Sequence, residues 1–234
     1  MTSDCPDTSS ALKIVGISGN THRPSRSRAL VETIAQHVAS QLPAEYVLYD
    51  IVDAGPGLGA AFERDELPAM AERILAAIEG ADALIVATPV YKGSYRGLFK
   101  HLFDLVDPLA LIDRPVLIAA TGGGPRHALV VEHHLRPLFG FFTALAMPTA
   151  VYASDSDFCE GEIVSPIVLD RIAVAAAQFA ALIGLRARQA YAQALSASGS
   201  DPHGERTLPV RLIRAADVPE IVRIAPATGS RLTG

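Results

Sequence analysis

The sequence predicts an α/β fold in three layers, in which helices cover both faces of a five-stranded parallel sheet. Five short apolar segments alternate along the chain with longer segments that carry apolar residues at helical spacing. This alternation is typical of a parallel sheet with helices on both sides. The apolar segments are rich in Val, Ile, Leu and Ala without polar alternation, which indicates strands that are buried on both faces.

The elements follow one another without interruption from residue 12. The first strand is the apolar run 12–17, and the helix after it, over 27–41, has Leu30, Ile34 and Val38 on one face. Further strands are predicted at 46–51, 83–89, 115–121 and 147–153, and further helices at 68–78, 96–106, 127–145 and 165–194. Five strands with a loop after each favour the flavodoxin-like order 2-1-3-4-5, in which ligands bind outside the carboxyl ends of strands 1 and 3.

Length and composition indicate one globular domain with a tail at each end. The chain has 234 residues, half of them hydrophobic, and a net charge of −5, which is enough for one full core. We predict an N-terminal tail over 1–11, the α/β domain over 12–195 and a C-terminal tail of unknown role over 196–234. Within the second tail, 210–213 and 221–224 could form short strands.

Several classes of protein are disfavoured by the same sequence. The sequence has no basic stripe of the kind that indicates nucleic-acid binding. Its longest apolar runs are shorter than the roughly 20 residues that a membrane span needs. The first ten residues do not resemble a secretory signal. Cys5 and Cys159 are too isolated to predict a disulfide framework or a metal site. We therefore expect a cytoplasmic protein without a metal.

The loop over residues 18–27 turns from apolar to polar immediately before a helix begins. Such a loop directs backbone N–H groups and a helix N-terminus at one point, where an anion is favoured. The helix dipole contributes only about 0.3–1 kcal/mol per contact, whereas a phosphate monoester carries about −1.5 to −2 charges. Further donors are expected from the hydroxyls and guanidiniums of the loop, namely Ser18, Ser25, Ser27, Arg23 and Arg26.

The composition of this loop indicates which phosphate it would bind. It contains neither the triphosphate loop G-x-x-x-x-G-K-[ST] nor the dinucleotide motif G-x-G-x-x-G. Hydroxyls and arginines in place of glycines favour a terminal monophosphate, such as that of FMN. The alternative is a solvated loop whose serines only cap the helix.

Two further loops are expected beside it at the same edge of the sheet. After strand 3, a turn with an exposed backbone and aromatic faces could contact a flat ring, through Pro89, Val90, Tyr91, Lys92 and Gly93. After strand 4, residues without bulky side chains leave N–H groups open for the N1–C2=O edge of a flavin, through Thr121, Gly122 and Gly123. Each loop alone could be an ordinary turn, but together they suit one FMN.

Three segments resemble the NAD(P)H-dependent FMN reductases. Residues 88–100, which read Thr-Pro-Val-Tyr-Lys-Gly-Ser-Tyr-Arg-Gly-Leu-Phe-Lys, look like the signature of this family. Residues 18–27 and 120–142 are similar to the branch that serves methanesulfonate and alkanesulfonate monooxygenases. The resemblance covers about 12–195; the tail from 196 departs from it, and related quinone, azo and chromate reductases carry Asn in place of Lys92.

The resemblance implies an activity and its partners. Members of this branch oxidise NADH or NADPH, reduce FMN and release the reduced flavin to a flavin-dependent monooxygenase. Hydride transfer needs no catalytic acid or base, so the site would work by positioning and electrostatics. The alternatives are a reductase that retains FMN and acts on quinones, azo dyes or metal oxyanions, and a flavodoxin-like electron carrier. A predicted cluster of cations favours a dinucleotide substrate over a carrier: Arg23, Arg26, Lys92, Arg96 and Arg126.

The helix predicted at 127–145 contains Pro137, which has no N–H for the α-helical bond to His133. We expect a kink or a π-helical turn there. The resemblance implies that His133 lies in such a turn at a subunit interface and helps to make the flavin transferable; an ordinary surface histidine is the alternative. The apolar helices 97–106 and 127–145 predict a homodimer or homotetramer, unless the C-terminal tail covers them.

Overall fold

The computed structural model describes residues 12–197. Its main sheet is parallel, and its strands occur in the predicted order, which confirms the flavodoxin-like topology. The strands are β1 (Lys13–Ser18), β2 (Glu45–Asp50), β3 (Ala83–Pro89), β4 (Pro115–Gly122), β5 (Leu145–Ala146) and β6 (Val151–Ser154). The carboxyl ends of β1, β3 and β4 are therefore adjacent, and the three loops of interest follow them.

Helices cover both faces of this sheet, as the alternation predicted. They are α1 (Arg26–Ala39), α2 (Ile51–Ala54), α3 (Ala69–Glu79), α4 (Gly97–Asp104), α5 (Arg136–Phe141) and α6 (Pro166–Ala197). Helices α1 and α6 pack on one face, while α3, α4 and α5 pack on the other. A small antiparallel hairpin, β7 (Phe158–Cys159) and β8 (Glu162–Ile163), lies between β6 and α6 in the chain.

The fifth predicted strand, 147–153, is wrong as a continuous element. Two short segments, β5 and β6, both pair with β4. Pro148 lies between them, and because proline has no N–H it cannot continue the ladder. The order 2-1-3-4-5 is unaffected, since both segments occupy the same edge of the sheet.

Among the other predicted boundaries that differ from the structure, two have a clear local cause. Strand 2 ends at Asp50 and not at 51, because the Asp50 carboxylate accepts the N–H of Asp53 and caps α2. The helix predicted at 127–145 ends at Phe141; Thr143 has a left-handed backbone with φ of 54° and directs the chain back into the sheet at β5.

Aromatic side chains fill the core between the sheet and α4 and α5. The Phe103 ring lies 5.0 Å from Phe99 and 5.1 Å from Phe139, and Phe142 lies 6.4 Å away, measured between ring centroids. Leu138, Phe139 and Phe142 are buried within one chain, whereas Phe141 is 71% exposed. The apolar composition of this segment is thus largely explained by the core, and the homo-oligomer stays a prediction.

Helix α6 is long and apolar enough to cross a membrane by length and composition over Pro166–Gln193. Its buried residues, including Ile172, Ala176 and Phe179, pack in the same apolar cluster as α1 and the sheet. We therefore interpret α6 as a core helix. The predicted tail over 1–11 and the short strands predicted at 210–213 and 221–224 lie outside the described residues.

Candidate functional site

A cavity of about 880 Å³ opens at the carboxyl ends of β1, β3 and β4. All three predicted loops line it, so Ser25, Tyr91 and Gly122 lie around one space. Ten of the predicted site residues contribute to its wall: Arg23, Ser25, Arg26, Ser27, Pro89, Val90, Tyr91, Thr121, Gly122 and Gly123. Ser18, Lys92 and Gly93 do not line it.

The N-terminus of α1 forms one end of this cavity. Ser25 is the N-cap: its hydroxyl accepts the N–H of Arg28 at 3.3 Å, and its carbonyl accepts that of Ala29 at 3.0 Å. Within residues 12–197, the N–H groups of Arg26 and Ser27 have no acceptor. Two unmatched donors at the positive end of a 14-residue helix make this the part of the cavity best suited to an anion.

Buried hydroxyl groups connect the loops that surround the cavity. The Ser27 and Thr121 hydroxyl oxygens are 2.6 Å apart, which joins α1 to the end of β4. The Ser18 hydroxyl donates to the Asn20 side chain at 2.6 Å. Asn20, which was not predicted as a site residue, lines the cavity and in turn donates to the carbonyl of His22. Ser18 therefore acts on the loop's shape through Asn20.

Carboxylates pair with the arginines of the first loop. Arg23 contacts Asp50 at 2.8 Å and Asp53 at 2.6 Å, and Arg26 contacts Asp155 at 2.7 Å. The sequence predicts that both guanidiniums donate to the phosphate, whereas the structure places each of them in an ion pair with a carboxylate of the chain. These partners could not be recognised in sequence because they lie 27 to 129 positions away.

Asp50 is the centre of this network, and its carboxylate is completely buried. Besides Arg23 it accepts hydrogen bonds from Asn20 at 3.1 Å and from Arg28 at 3.0 Å. Burial raises the pKa of Asp50, but the hydrogen bonds from the two arginines and Asn20 outweigh it, so the pKa lies below its ordinary value. Asp50 is thus a fixed negative charge beneath the first loop.

The loop after β3 contains a tight turn from Tyr91 to Ser94. The two residues exchange backbone hydrogen bonds of 2.8 and 3.1 Å, while Lys92 and Gly93 have φ of 52° and 86°. Left-handed backbone at both central positions is the pattern of a type I′ turn. Among the described residues, neither Lys92 N–H nor Gly93 N–H has an acceptor.

Replacing Lys92 by asparagine is expected to stabilise the protein by about 0.5–1 kcal/mol, because Asn tolerates a left-handed backbone better than Lys does. Urea denaturation measures the change. Lys92→Ala is the matched control: it removes the same charge but keeps the cost of a positive φ, so its stability should equal the wild type. Equal midpoints for the two variants would contradict this explanation.

A second, shallower cavity of about 450 Å³ lies on the other side of Tyr91. Lys92 and Arg96 line it, and the Arg96 guanidinium lies 3.9 Å from the centroid of the Tyr91 ring. Neither cation has a carboxylate partner among the residues that the structure describes. Lys92 and Arg96 therefore leave their positive charges available to a second anionic ligand at this cavity.

The loop after β4 leaves no room for a side chain at Gly122. A Cβ there would lie 2.6 Å from the Tyr152 hydroxyl oxygen, and that hydroxyl donates to the carbonyl of Gly124 at 2.6 Å. The Val90 N–H also donates to the carbonyl of Thr121 at 2.7 Å, which joins the second and third loops. This packing explains the glycine at position 122, whereas a Cβ at Gly123 or Gly124 would meet nothing within 4 Å.

The π-helical turn predicted before Pro137 is confirmed. Residues Val131–Leu135 form a π-helix, and the N–H of Arg136 bonds to the carbonyl of Val131. His133 lies in this turn, is exposed, and lines neither cavity. His134 instead reaches the second loop, with its Nδ1 3.0 Å from the Ser94 hydroxyl. The role of His133 in flavin transfer stays a prediction.

Acidic residues form a wall that sequence analysis missed. Asp155, Glu160 and Glu162, from the segment after β6 and the first residue of β8, line the larger cavity. Glu160 and Gly161 have φ of 50° and 88°, so the Glu-Gly pair makes a two-residue hairpin turn like that at Lys92-Gly93. The Glu-Gly pair was the one sequence signal for this hairpin. Strands β7 and β8 have only two residues each, which is too short to show periodicity.

Residues 12–158 match the family described as NADPH-dependent FMN reductase. The chain belongs to this family. This FMN reductase is 53% identical over 173 residues to the NADH-dependent FMN reductase SfnF of Pseudomonas fluorescens. The matched region is 74% of this chain and 92% of that protein. The chain is 49% identical over 177 residues to an FMN reductase (NADPH) of Pseudomonas aeruginosa, covering 76% and 95%.

A solved structure agrees with these relationships. The apo form of an NADH:FMN oxidoreductase, EmoB, is 30% identical, covers 73% of this FMN reductase and 89% of its own chain, and superposes with a TM-score of 0.66. The family uses FMN with NADH or NADPH. The cavity fits the phosphate of FMN, because α1 presents two unmatched N–H groups at one end of it.

Proposed function

We propose that this FMN reductase treats FMN as an exchangeable substrate and supplies reduced FMN to a separate flavin-dependent monooxygenase that removes sulfite from sulfonates. The observation that carries the proposal is the single cavity in which the first, second and third loops meet. The sulfonate role is supported by the resemblance of residues 18–27 and 120–142 to reductases of that branch.

The residues of this chain would bind and orient both substrates. The α1 N-terminus at Arg26 and Ser27 holds the phosphate of FMN. Backbone donors in the Gly122–Gly123 segment, which lines the cavity, stabilise negative charge on the ring as it accepts hydride. Because the nicotinamide donates hydride directly when the two rings stack, the chain contributes positioning and no proton transfer.

The dinucleotide is proposed to reach the flavin from the Tyr91 side. Lys92 and Arg96 line the second cavity there and have no carboxylate partners among the described residues, which suits the pyrophosphate of NADH or NADPH. The relatives named above include an NADH-dependent and an NADPH-dependent enzyme, so the proposed donor class is NAD(P)H.

We extend the proposal to the oligomeric state of this FMN reductase and to its location in the cell. Leu129 and Phe141, which flank the π-helical turn, are 63% and 71% exposed. They give a second copy of the chain an apolar surface beside the exposed His133, in line with the predicted homodimer or homotetramer. We also propose a cytoplasmic location, where NAD(P)H and FMN are both available.

Purified full-length protein should be colourless after dialysis and should oxidise NADH or NADPH only when FMN is added. A flavin-dependent sulfonate monooxygenase should then release sulfite from an alkanesulfonate only when this reductase, NAD(P)H and FMN are all present. Lasting yellow colour after dialysis, with turnover of quinones or azo dyes, would replace the proposal with a flavin-retaining reductase. Failure to oxidise NAD(P)H with FMN would overturn it.

A further inference from the structure

Three arginines at the α1 end of the cavity are paired with a larger number of carboxylates. Arg23, Arg26 and Arg28 are bonded to four acidic side chains: Glu32, Asp50, Asp53 and Asp155. Sequence alone indicated a basic phosphate loop, whereas the structure shows one with no excess of positive charge. This balance is unexpected for a site that binds a phosphate.

Two of these carboxylates, Asp53 and Asp155, are themselves partly exposed, and each contacts an arginine that lines the cavity. The Asp53 side chain is 24% exposed and lies 2.6 Å from a terminal nitrogen of Arg23. The Asp155 side chain is 53% exposed and lies 2.7 Å from Arg26. Exposed ion pairs of this kind contribute little to folding. Asp50 differs, because it is fully buried and accepts hydrogen bonds from several loop groups.

These ion pairs act on a bound phosphate in two ways. Each carboxylate occupies guanidinium N–H groups that could otherwise donate to the phosphate, and each adds a negative charge near an anion that carries about −1.5 to −2 charges. Both effects weaken binding. The helix N-terminus still fixes the position of the phosphate, because its backbone donors do not depend on the arginines.

We propose that Asp53 and Asp155 set the affinity for FMN: they hold Arg23 and Arg26 in ion pairs, keep phosphate binding weak and allow the flavin to leave. This inference rests on the proposed function, in which FMN is a substrate that must dissociate. It assigns the exchangeability of FMN to two carboxylates of the phosphate end, which sequence analysis did not identify as site residues.

A purely structural role for these carboxylates predicts the opposite result. If Asp53 and Asp155 served only to hold the loop in shape, their removal would disorder the phosphate end and weaken FMN binding. The sign of the change in affinity therefore separates the two explanations. Asparagine is the suitable replacement, since it keeps an oxygen that can accept the Asp50 N–H now bonded to Asp53 at 2.9 Å.

The test is a titration of full-length protein with FMN, followed by flavin fluorescence. Asp53→Asn and Asp155→Asn are each expected to lower the Kd about three- to tenfold, the effect of one partly exposed charge, with a slower dissociation rate. The double variant should show the larger effect and retain yellow colour longer on dialysis. Asp53→Glu, which keeps the charge, should bind FMN as the wild type does.

Asp104→Asn is the matched control. Asp104 pairs with Lys100 on α4 and lies at the end of that helix remote from the cavity, so the variant changes the net charge equally and should leave the Kd unchanged. An unchanged or higher Kd in both Asp53→Asn and Asp155→Asn would overturn the inference while leaving the proposed function intact. A wild-type protein that binds no FMN would overturn both.

Discussion

Replacing Gly19 by alanine should raise the FMN concentration needed for half-maximal NAD(P)H oxidation at least tenfold. Gly19 follows β1 directly and begins the phosphate loop. A Cβ there would lie 2.7 Å from the Thr88 hydroxyl oxygen and 3.0 Å from the Phe99 ring. Both neighbours are fully buried, so the loop and not the core must move. Misplacement by about 1 Å can cost as much as a hundredfold in rate.

Gly184→Ala is the control for this substitution. Gly184 lies in α6, and an added Cβ there meets nothing within 4 Å, so the FMN dependence should equal the wild type. Steady-state kinetics at saturating NADH compare the two variants, and circular dichroism checks the fold of each. The same apparent KM for Gly19→Ala and the wild type would show that the loop tolerates the added carbon.

Phe103→Ala is expected to lower the free energy of unfolding by about 3–5 kcal/mol. The ring is 1% exposed and contacts three other phenylalanines from α4, α5 and the segment that follows α5. Removing it leaves a cavity that rigid neighbours on two elements cannot fill. Urea denaturation measures the loss, and Phe62→Ala is the control, because Phe62 is 86% exposed and should change stability by less than about 0.5 kcal/mol. Similar losses in both variants would contradict this account of the core.

Periodicity predicted the sheet well because buried parallel strands are apolar along their whole length. The range 83–89 agrees with β3 at both ends, and the strand order followed from the alternation of elements. The positions of the three loops then followed from topology. The split between β5 and β6 was missed although Pro148 was visible, because the apolar run around it continues on both sides.

Charge pairing was less predictable than strand order. The residue type at Arg23 indicates a phosphate ligand, but its two carboxylate partners come from β2 and α2, and only the fold brings them together. His134, in the π-helical turn, contacts the second loop through the Ser94 hydroxyl, a contact that was not predicted. A π-helical turn has more residues per turn than an α-helix, so spacing alone does not specify which residue of the turn reaches the loop.

The hydrogen bond between Ser27 and Thr121 has a consequence for how this protein can change over evolutionary time. Each buried hydroxyl satisfies the other, so a nonpolar replacement at one position leaves the second oxygen without a partner, which costs about 1–3 kcal/mol. Replacing both together by side chains of similar volume removes that penalty. These two positions are therefore expected to covary among homologues, alternating between a polar pair and an apolar pair.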